Sequence, residues 1–156
     1  MAGKRERLKA SPLFKNFSDE IIDRFLNSAD TRQYSAGQTI FAELSEGNEI
    51  FTILDGEVTA EVAVVNADQS LEILTFSAGD IFGEGCFFKP NVPRYATMTS
   101  KTATTVLVWK SEHWRKIAES NFEVGYRLAV GITRIFIDRL RHWNVRIVEN
   151  ISWGLD

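Results

Sequence analysis

The chain is poor in the residues that make covalent or metal staples. Cysteine occurs once in 156 residues, at Cys86, so an intramolecular disulfide cannot form and a four-cysteine zinc site is excluded. A lone thiol suits a reducing compartment, and a cytoplasmic location is expected. The two histidines, His113 and His142, fall on different expected helices with no Cys or Asp at ligand spacing, so no metal site is expected. Long apolar runs are missing as well: no stretch reaches the roughly 18 residues that a membrane-spanning helix requires. The basic start, Lys4, Arg5, Arg7 and Lys9, is followed by no apolar segment of the kind a secretory signal carries. Positive charge is not in excess, since the net charge is -3 and the pI about 5.5. Direct DNA binding and membrane association are therefore not expected.

What is present is ordinary for a globular domain, with 44% hydrophobic and 25% charged residues. At this length one domain over residues 1–156 is expected. Residues 2 to 10 read as a mobile polar lead-in. In the region 11–30, Ser18 reads as an N-cap ahead of Asp19-Glu20, and Phe17 as a staple onto Ile22, which predicts a helix from about Asp19 to Ser28. That helix should bury Ile21, Ile22, Phe25 and Leu26. Residues 31–110 then change to short β-rich runs: Thr31–Tyr34, Thr39–Phe41, Ile50–Leu54, Glu57–Val65, Leu71–Phe76, Asp80–Phe82, Ala96–Ser100 and Thr104–Trp109. Breaks fall at Ala36-Gly37, Glu46-Gly47-Asn48, Asp55-Gly56, Asn66-Ala67-Asp68 and Ala78-Gly79. Asp55-Gly56 signals a tight hairpin, and Val58, Ala60, Val62 and Val64 share one parity of the strand after it. About eight short strands at this spacing predict a β-roll or jelly roll.

After Trp109 the period changes. Ser111 reads as the N-cap of a short helix to Ser120, Asn121 as a break, and Phe122 to about Val148 as one long helix, the two helices making up residues 111–149. Ala129, Ile132, Phe136, Leu140, Trp143 and Ile147 recur at spacings of three and four. At about 1.5 Å per residue the long helix outreaches a small roll, so part of its stripe should seek a partner. Arg134, Arg139, Arg141 and Arg146 read as its solvated face, diluted by Glu123, Asp138 and Glu149. The fold class is thus mainly β with flanking helices, a roll preceded by a short helix and followed by a short and a long one.

Chemistry concentrates in residues 79–97, Gly-Asp-Ile-Phe-Gly-Glu-Gly-Cys-Phe-Phe-Lys-Pro-Asn-Val-Pro-Arg-Tyr-Ala-Thr. A short helix starting after Gly83 would offer unpaired amides to an anion, and Gly83 and Gly85 allow close approach to the backbone. Arg94 brings a planar, permanently charged fork that matches two phosphate oxygens. Glu84, an acceptor only, suits a sugar hydroxyl. A structural ion pair between Glu84 and Arg94 inside a turn accounts for the same residues, and spacing does not choose between the two. Cys86 sits where a helix N-terminus could activate a thiol, or where a small core residue is needed. Phe87-Phe88 reads as core, and Trp143 or Trp153 as a purine cap or a dimer contact.

This stretch resembles the phosphate-binding cassette of cyclic nucleotide-binding domains, the modules of the catabolite activator family, cyclic nucleotide-dependent protein kinases and cyclic nucleotide-gated channels. The resemblance rests on Phe82-Gly83-Glu84 and Pro93-Arg94-Tyr95-Ala96-Thr97. Leu13-Phe14, Ala36-Gly37 through Phe41, Glu46-Gly47, Phe51 through Val58, and Ala78-Gly79-Asp80 support it. It covers about Pro12 to Val148. The resemblance implies a regulatory, non-enzymatic module of signal transduction with no catalytic residues and no cofactor, whose ligand is cAMP or cGMP. It implies Arg94 on the cyclic phosphate and Glu84 on the ribose 2′-hydroxyl. Amides of Gly83, Gly85 and Cys86 line the cassette, with Thr97 near the phosphate or purine. The long helix, 122–148, becomes a lid over the base, a homodimer seam, or both. Gly85 stands where a branched apolar residue is usual, and Tyr95, beside the phosphate, where a small one is. The alternative implied by Tyr95 is a ligand-free interaction or dimerisation module with the tyrosine in the phosphate site. Only eight residues follow Val148, too few for a helix-turn-helix domain, so the output is expected through an effector protein or dimerisation.

Overall fold

The computed structural model describes residues 2–64 and 69–153, with side chains from Gly3 to Val145. Val65, the break at Asn66-Ala67-Asp68, and the side chains of Arg146, Ile147, Glu149 and Trp153 lie outside what is described. Eight strands run in two antiparallel sheets among the described residues. In chain order they are β1 (Asp30–Tyr34), β2 (Thr39–Phe41), β3 (Glu49–Asp55), β4 (Val58–Ala63), β5 (Ser70–Phe76), β6 (Ile81–Phe82), β7 (Thr97–Ser100) and β8 (Thr104–Lys110). One sheet has the order β1-β8-β3-β6 and the other β2-β7-β4-β5. This is the β-roll that the run spacing predicts.

The roll closes because consecutive strands change sheets everywhere except from β4 to β5, and Asp55-Gly56 is where this differs from a hairpin. β3 pairs with β8 and β6, whereas β4 pairs with β5 and β7. Gly56 takes φ +90°, and a Cβ there would meet the Ala103 carbonyl at 2.5 Å. The Asp-Gly signal therefore marks a crossing between sheets rather than a turn within one. The expected parity of β4 holds at Val58 and Ala60, which are buried, and at Val62, which packs on the same core, while Val64 lies beyond the end of the strand and is exposed. The bulge in this pair falls on β5, where Ile73 is the extra residue between the partners of Ala60 and Glu61.

Two cores result. Between the sheets Phe51 and Phe82 stack at 4.8 Å, backed by Ile53, Val58, Met98, Val106 and Val108. Outside the first sheet the helices build the second core on an aromatic cluster, in which Trp114 meets Phe14, Phe25 and Trp109 edge-on at 5.4–5.5 Å. Trp109 donates its indole N–H to the Phe25 carbonyl at 2.7 Å, which satisfies a polar group that would otherwise be buried alone.

The helices are α1 (Ala2–Ala10), α2 (Asp19–Asn27), α3 (Gly85–Phe88), α4 (Ser111–Ser120) and α5 (Phe122–Trp153). Ser18 caps α2 by accepting from the Ile21 amide, and Ile22 and Phe25 face the core, while Ile21 and Leu26 are only partly buried. Phe17 packs its ring on Phe14 and Phe25. Lys110, not Ser111, holds the N-cap position of α4; Ser111 is buried as its first residue and accepts from Arg115. Asn121 does separate α4 from α5, and its side-chain oxygen accepts from the Val124 amide at 3.2 Å.

The expected mobile lead-in is instead α1, docked on the helical core. Leu8 is fully buried, Arg5 pairs with Asp23 at 2.6 Å, and Arg7 donates to the Leu54 carbonyl at 3.1 Å. A single apolar residue among charges leaves no periodic signal, so only its partners on α2 reveal the helix. Leu8→Ala should lower the unfolding free energy by about 2–5 kcal/mol. Denaturant titration should show this as a lower midpoint with unchanged slope, and an unmoved midpoint would mean α1 adds nothing to stability.

Candidate functional site

Three segments converge on one cavity. Its walls come from the segment after β6 (Gly83, Glu84, Gly85), the segment before β7 (Val92 to Ala96), and one face of α5 (Phe136, Arg139, Leu140, Trp143). Phe41, Phe76 and Phe82 from the sheets form the apolar base. The volume is about 460 Å³, within the range of small-molecule sites.

Local pairing sets the position of Arg94. Its backbone runs beside residues 44–46, donating N–H to Ser45 O at 2.9 Å and accepting from Leu44 N at 2.8 Å, with a bridge between Glu46 and Pro93. Asn91, at φ +55°, donates its amide to the Asn48 side chain and anchors the other end of the loop. The Arg94 side chain is 6% exposed. Its Nη1 donates to Gly83 O at 3.1 Å and its Nη2 to Glu49 O at 3.0 Å. The guanidinium lies 4.2 Å from the centroid of the Phe41 ring, a cation–π contact. A Cβ on Gly47 would collide with the guanidinium, and one on Gly83, at φ +74°, would stand 2.7 Å from Nη1. The two glycines are thus the room in which this cation sits.

That cation has no carboxylate partner among the described residues, and its Nε is buried without an acceptor. Burial pulls the guanidinium down from its ordinary pKa. The ion pair of Arg94 with Glu84 that spacing leaves open is not formed. Glu84 pairs with Arg139 of α5 instead. Glu84 is 2% exposed; burial pushes its carboxyl up from the usual range, and Arg139 opposes that shift. Arg139 also donates to Ile81 O and lies 4.7 Å from the centroid of Phe76. The expectation of a solvated Arg139 is therefore corrected: its side chain turns into the cavity. Its position three residues after Phe136 and four before Trp143 carries the signal, because that spacing puts it on the apolar face.

The other expected site residues are distributed around the cavity. Gly83, Gly85 and Tyr95 line it, and Tyr95 is 61% exposed, at the rim rather than in the site. A Cβ on Gly85 would make ordinary contacts of 3.4 Å with Tyr95 and 3.5 Å with Val92, so the backbone does not require glycine there. The side chains of Cys86 and Thr97 are not in the wall. Thr97 accepts from the Glu43 amide at 3.0 Å, and Cys86 packs in the helical core with Sγ 3.2 Å from Gly83 O. The helix that starts here, α3, has a single turn. Arg115 fastens it to α4 by donating to Cys86 O at 2.9 Å. Of the two phenylalanines that follow, Phe87 is half-buried but Phe88 is exposed. Trp143 is half-buried at the cavity with its indole Nε1 buried and unpartnered. Sequence reasoning named it but missed Phe41, Gly47, Phe136 and Arg139. No group of side chains suited to a metal occurs among the described residues, and no described helix is long and apolar enough to cross a membrane.

The thiol is inert by this geometry, since burial raises the Cys86 pKa above its ordinary value. Titration with a disulfide reagent should find no fast-reacting thiol in the native protein and one after unfolding. Rapid native reaction would place the sulfur outside the core.

Three comparisons with known proteins bear on this site. The family model described as cyclic nucleotide-binding domain matches residues 31–121. A cAMP-dependent protein kinase regulatory subunit from Mycosarcoma maydis is 32% identical over 93 residues, 60% of this chain and 17% of that protein. The cGMP-dependent protein kinase isozyme 1 of Drosophila melanogaster is 30% identical over 78 residues, 49% of this chain and 10% of that one. The chain thus spans a fifth or less of the length of these relatives. Among solved structures, a cyclic nucleotide-binding domain from Methylobacillus flagellatus superposes with TM-score 0.80 at 20% identity, covering 96% of this chain and 84% of the other. The regulatory domain of Toxoplasma gondii PKA with cAMP gives TM-score 0.67 at 20% identity, covering 74% and 43%. At these identities the structural likenesses speak for the fold.

Proposed function

The chain belongs to the cyclic nucleotide-binding domain family, and from that premise we propose that it is a non-enzymatic regulatory module sensing a cyclic purine mononucleotide, cAMP or cGMP. One observation carries the reading. Arg94 is a buried cation with no carboxylate partner among the described residues, its Nε unpartnered, at the wall of a cavity of ligand size. A buried charge without a countercharge is costly, and a cyclic phosphodiester, a monoanion with two free oxygens, supplies the missing charge to a guanidinium fork. Relatives named for cAMP and cGMP dependence support this choice of anion.

In this reading Arg94 holds the phosphate and Glu84 accepts from the ribose 2′-hydroxyl. The backbone of Gly83, Gly85 and Cys86 frames the cassette. Thr97 acts by fixing the chain that leads into β7, because its hydroxyl is engaged with Glu43. Tyr95 edges the mouth, an arrangement that favours a ligand-binding module over a ligand-free one with the tyrosine in the phosphate site. Phe136 and Trp143 put α5 in the position of a lid. Ligand would then shift α5 between two dockings by its differential affinity for them, and the module would act on an effector protein without a cofactor and without contacting DNA or membrane. We take residues 1–156 as one domain of a cytoplasmic protein.

The outward face of α5 favours a second copy as partner. Tyr126, Val130, Thr133, Ile137, Leu140 and Asn144 recur at alternating spacings of four and three. Tyr126 and Ile137 are more than half exposed, as is Leu140 at the boundary between this face and the cavity, while Leu128 and Ile132 on the opposite face are buried. A stripe of this period suits a helix-to-helix seam.

Calorimetry with cAMP and cGMP should give binding at micromolar levels or tighter, and Arg94→Ala should lose most of it; absence of heat with both nucleotides at high protein concentration would sink the ligand assignment. Sedimentation should show the wild type self-associating and Ile137→Glu reduced to monomer. A wild type that is monomeric at every concentration would exclude the seam.

A further inference from the structure

The indole N–H of Trp143 is buried without a partner on a side chain that lines the cavity. We infer that the cavity selects adenine over guanine, and that Trp143 reads the edge of the base by donating its N–H to a ring nitrogen of the purine. The inference rests on the cyclic-nucleotide reading and adds to it the choice of base and the residue that reads it.

Three observations support it. First, the wall is poor in acceptors. Its side chains that carry nitrogen or oxygen are Glu84, Arg94, Tyr95, Arg139 and Trp143. Arg94 and Glu84 serve the phosphate and the ribose in the proposed function, and Arg139 is occupied by Glu84 and Ile81 O. The side chains left for the base are largely apolar, Ala60, Leu74, Met98 and Leu140 among them. The Tyr95 phenol stands at the rim, more than half exposed. Thr97, expected near the phosphate or purine, is outside the wall with its hydroxyl accepting from the Glu43 amide. Second, the two purines differ in what they need from such a wall. Guanine carries N1–H and the N2 amino group along one edge, and a donor buried without an acceptor forfeits its hydrogen bond to water. Adenine carries one amino group, which can turn to the mouth, and its ring nitrogens are acceptors. Third, two side-chain atoms of the wall are buried without a partner, Arg94 Nε and Trp143 Nε1. A nucleotide has an anion at one end and acceptor nitrogens at the other, and it supplies what each lacks.

The other arrangement lays the indole flat on the purine. Stacking is indifferent to the edge of the base, because every base has a π face, and it leaves the Trp143 N–H as orphaned with ligand as without. A buried indole N–H ordinarily finds a partner, as that of Trp109 does at the Phe25 carbonyl. Trp143 also packs on the core between the sheets, which holds the ring at the cavity. Donation to the base edge removes a penalty that the free protein carries, and it gives a tryptophan at this position a role that an apolar side chain of similar reach does not have.

The experiment measures binding to the full chain, by calorimetry, of cAMP, cGMP and the 1-deaza, 3-deaza and 7-deaza analogues of cAMP, in each of which C–H replaces one ring nitrogen. The proteins are wild type and Trp143→Phe, with thermal melts to verify folding. Wild type should bind cAMP about tenfold or more tighter than cGMP, the effect of leaving a buried donor unsatisfied. One deaza analogue should bind wild type about fivefold to tenfold more weakly than cAMP, the effect of one hydrogen bond. Trp143→Phe should bind cAMP and that analogue alike, because a phenyl ring keeps a stacking face and lacks the donor. In proton–nitrogen spectra of wild type, one of the four indole N–H signals should move downfield with cAMP and not with that analogue, a readout that carries the test if Trp143→Phe does not fold. Equal binding of cAMP and all three analogues by wild type, or a loss that persists in Trp143→Phe, would overturn the donor role. Binding of cGMP as tight as that of cAMP, or tighter, would overturn the choice of adenine. Each of these results leaves the cyclic-nucleotide reading intact, whereas a wild type that binds none of the nucleotides overturns that reading and the inference with it.

Discussion

The arrangement of the molecule depends on accommodating the Arg94 charge beneath the surface. A guanidinium without a carboxylate is stable there only because two backbone carbonyls, Gly83 O and Glu49 O, and the face of Phe41 meet it, and because Gly47 and Gly83 leave it space. Each of these partners comes from a different part of the roll. Phe41 ends β2, Glu49 begins β3, Gly83 follows β6, and residues 44–46 pair with the segment that carries Arg94. The closed sheets are what bring them together, so the roll serves as the frame of one partially satisfied cation.

The helices add a second layer to that frame. The aromatic cluster of Phe14, Phe25, Trp109 and Trp114 joins α2 and α4 to the outside of the first sheet. From it α5 departs, buried at Leu128 and Ile132, then passing over the cavity at Phe136, Arg139 and Trp143. Its anchored part belongs to the helical core, and Trp143 packs on the core between the sheets. The proposed sensing mechanism places its movement at the part of the helix that rests on the second core by an ion pair and a few apolar contacts.

Much of this was legible in local pattern. All eight strands appear within one or two residues of their expected places, Ser18 caps α2 as its side chain predicts, and Asn121 makes the expected break between α4 and α5. Alternation and turn residues are short-range properties, and a strand of half-buried residues keeps them whatever it pairs with. What misled were features whose meaning depends on the partner. Asp55-Gly56 has the composition of a hairpin but turns between sheets, since strands β8 and β6 had already taken the edges of β3. Leu8 alone among charges gave no period, yet α1 docks through Asp19 and Asp23 of α2. Arg139 is one of several arginines along the helix, and only its place on the apolar face, three residues after Phe136 and four before Trp143, sets it apart.

By itself, then, the sequence determined the β-roll with flanking helices, the family through Phe82-Gly83-Glu84 and Pro93-Arg94, and the identity of the acid and base at the candidate site. Tertiary structure alone decided how those two charges are partnered. Spacing puts Glu84 and Arg94 close enough to pair with each other, but the fold turns Arg94 toward backbone carbonyls and brings Arg139, 55 residues beyond Glu84, to the carboxylate. The physical reason is that an ion pair is a property of distance in space. Only the packing of α5 over the roll sets the distance from Glu84 to Arg139.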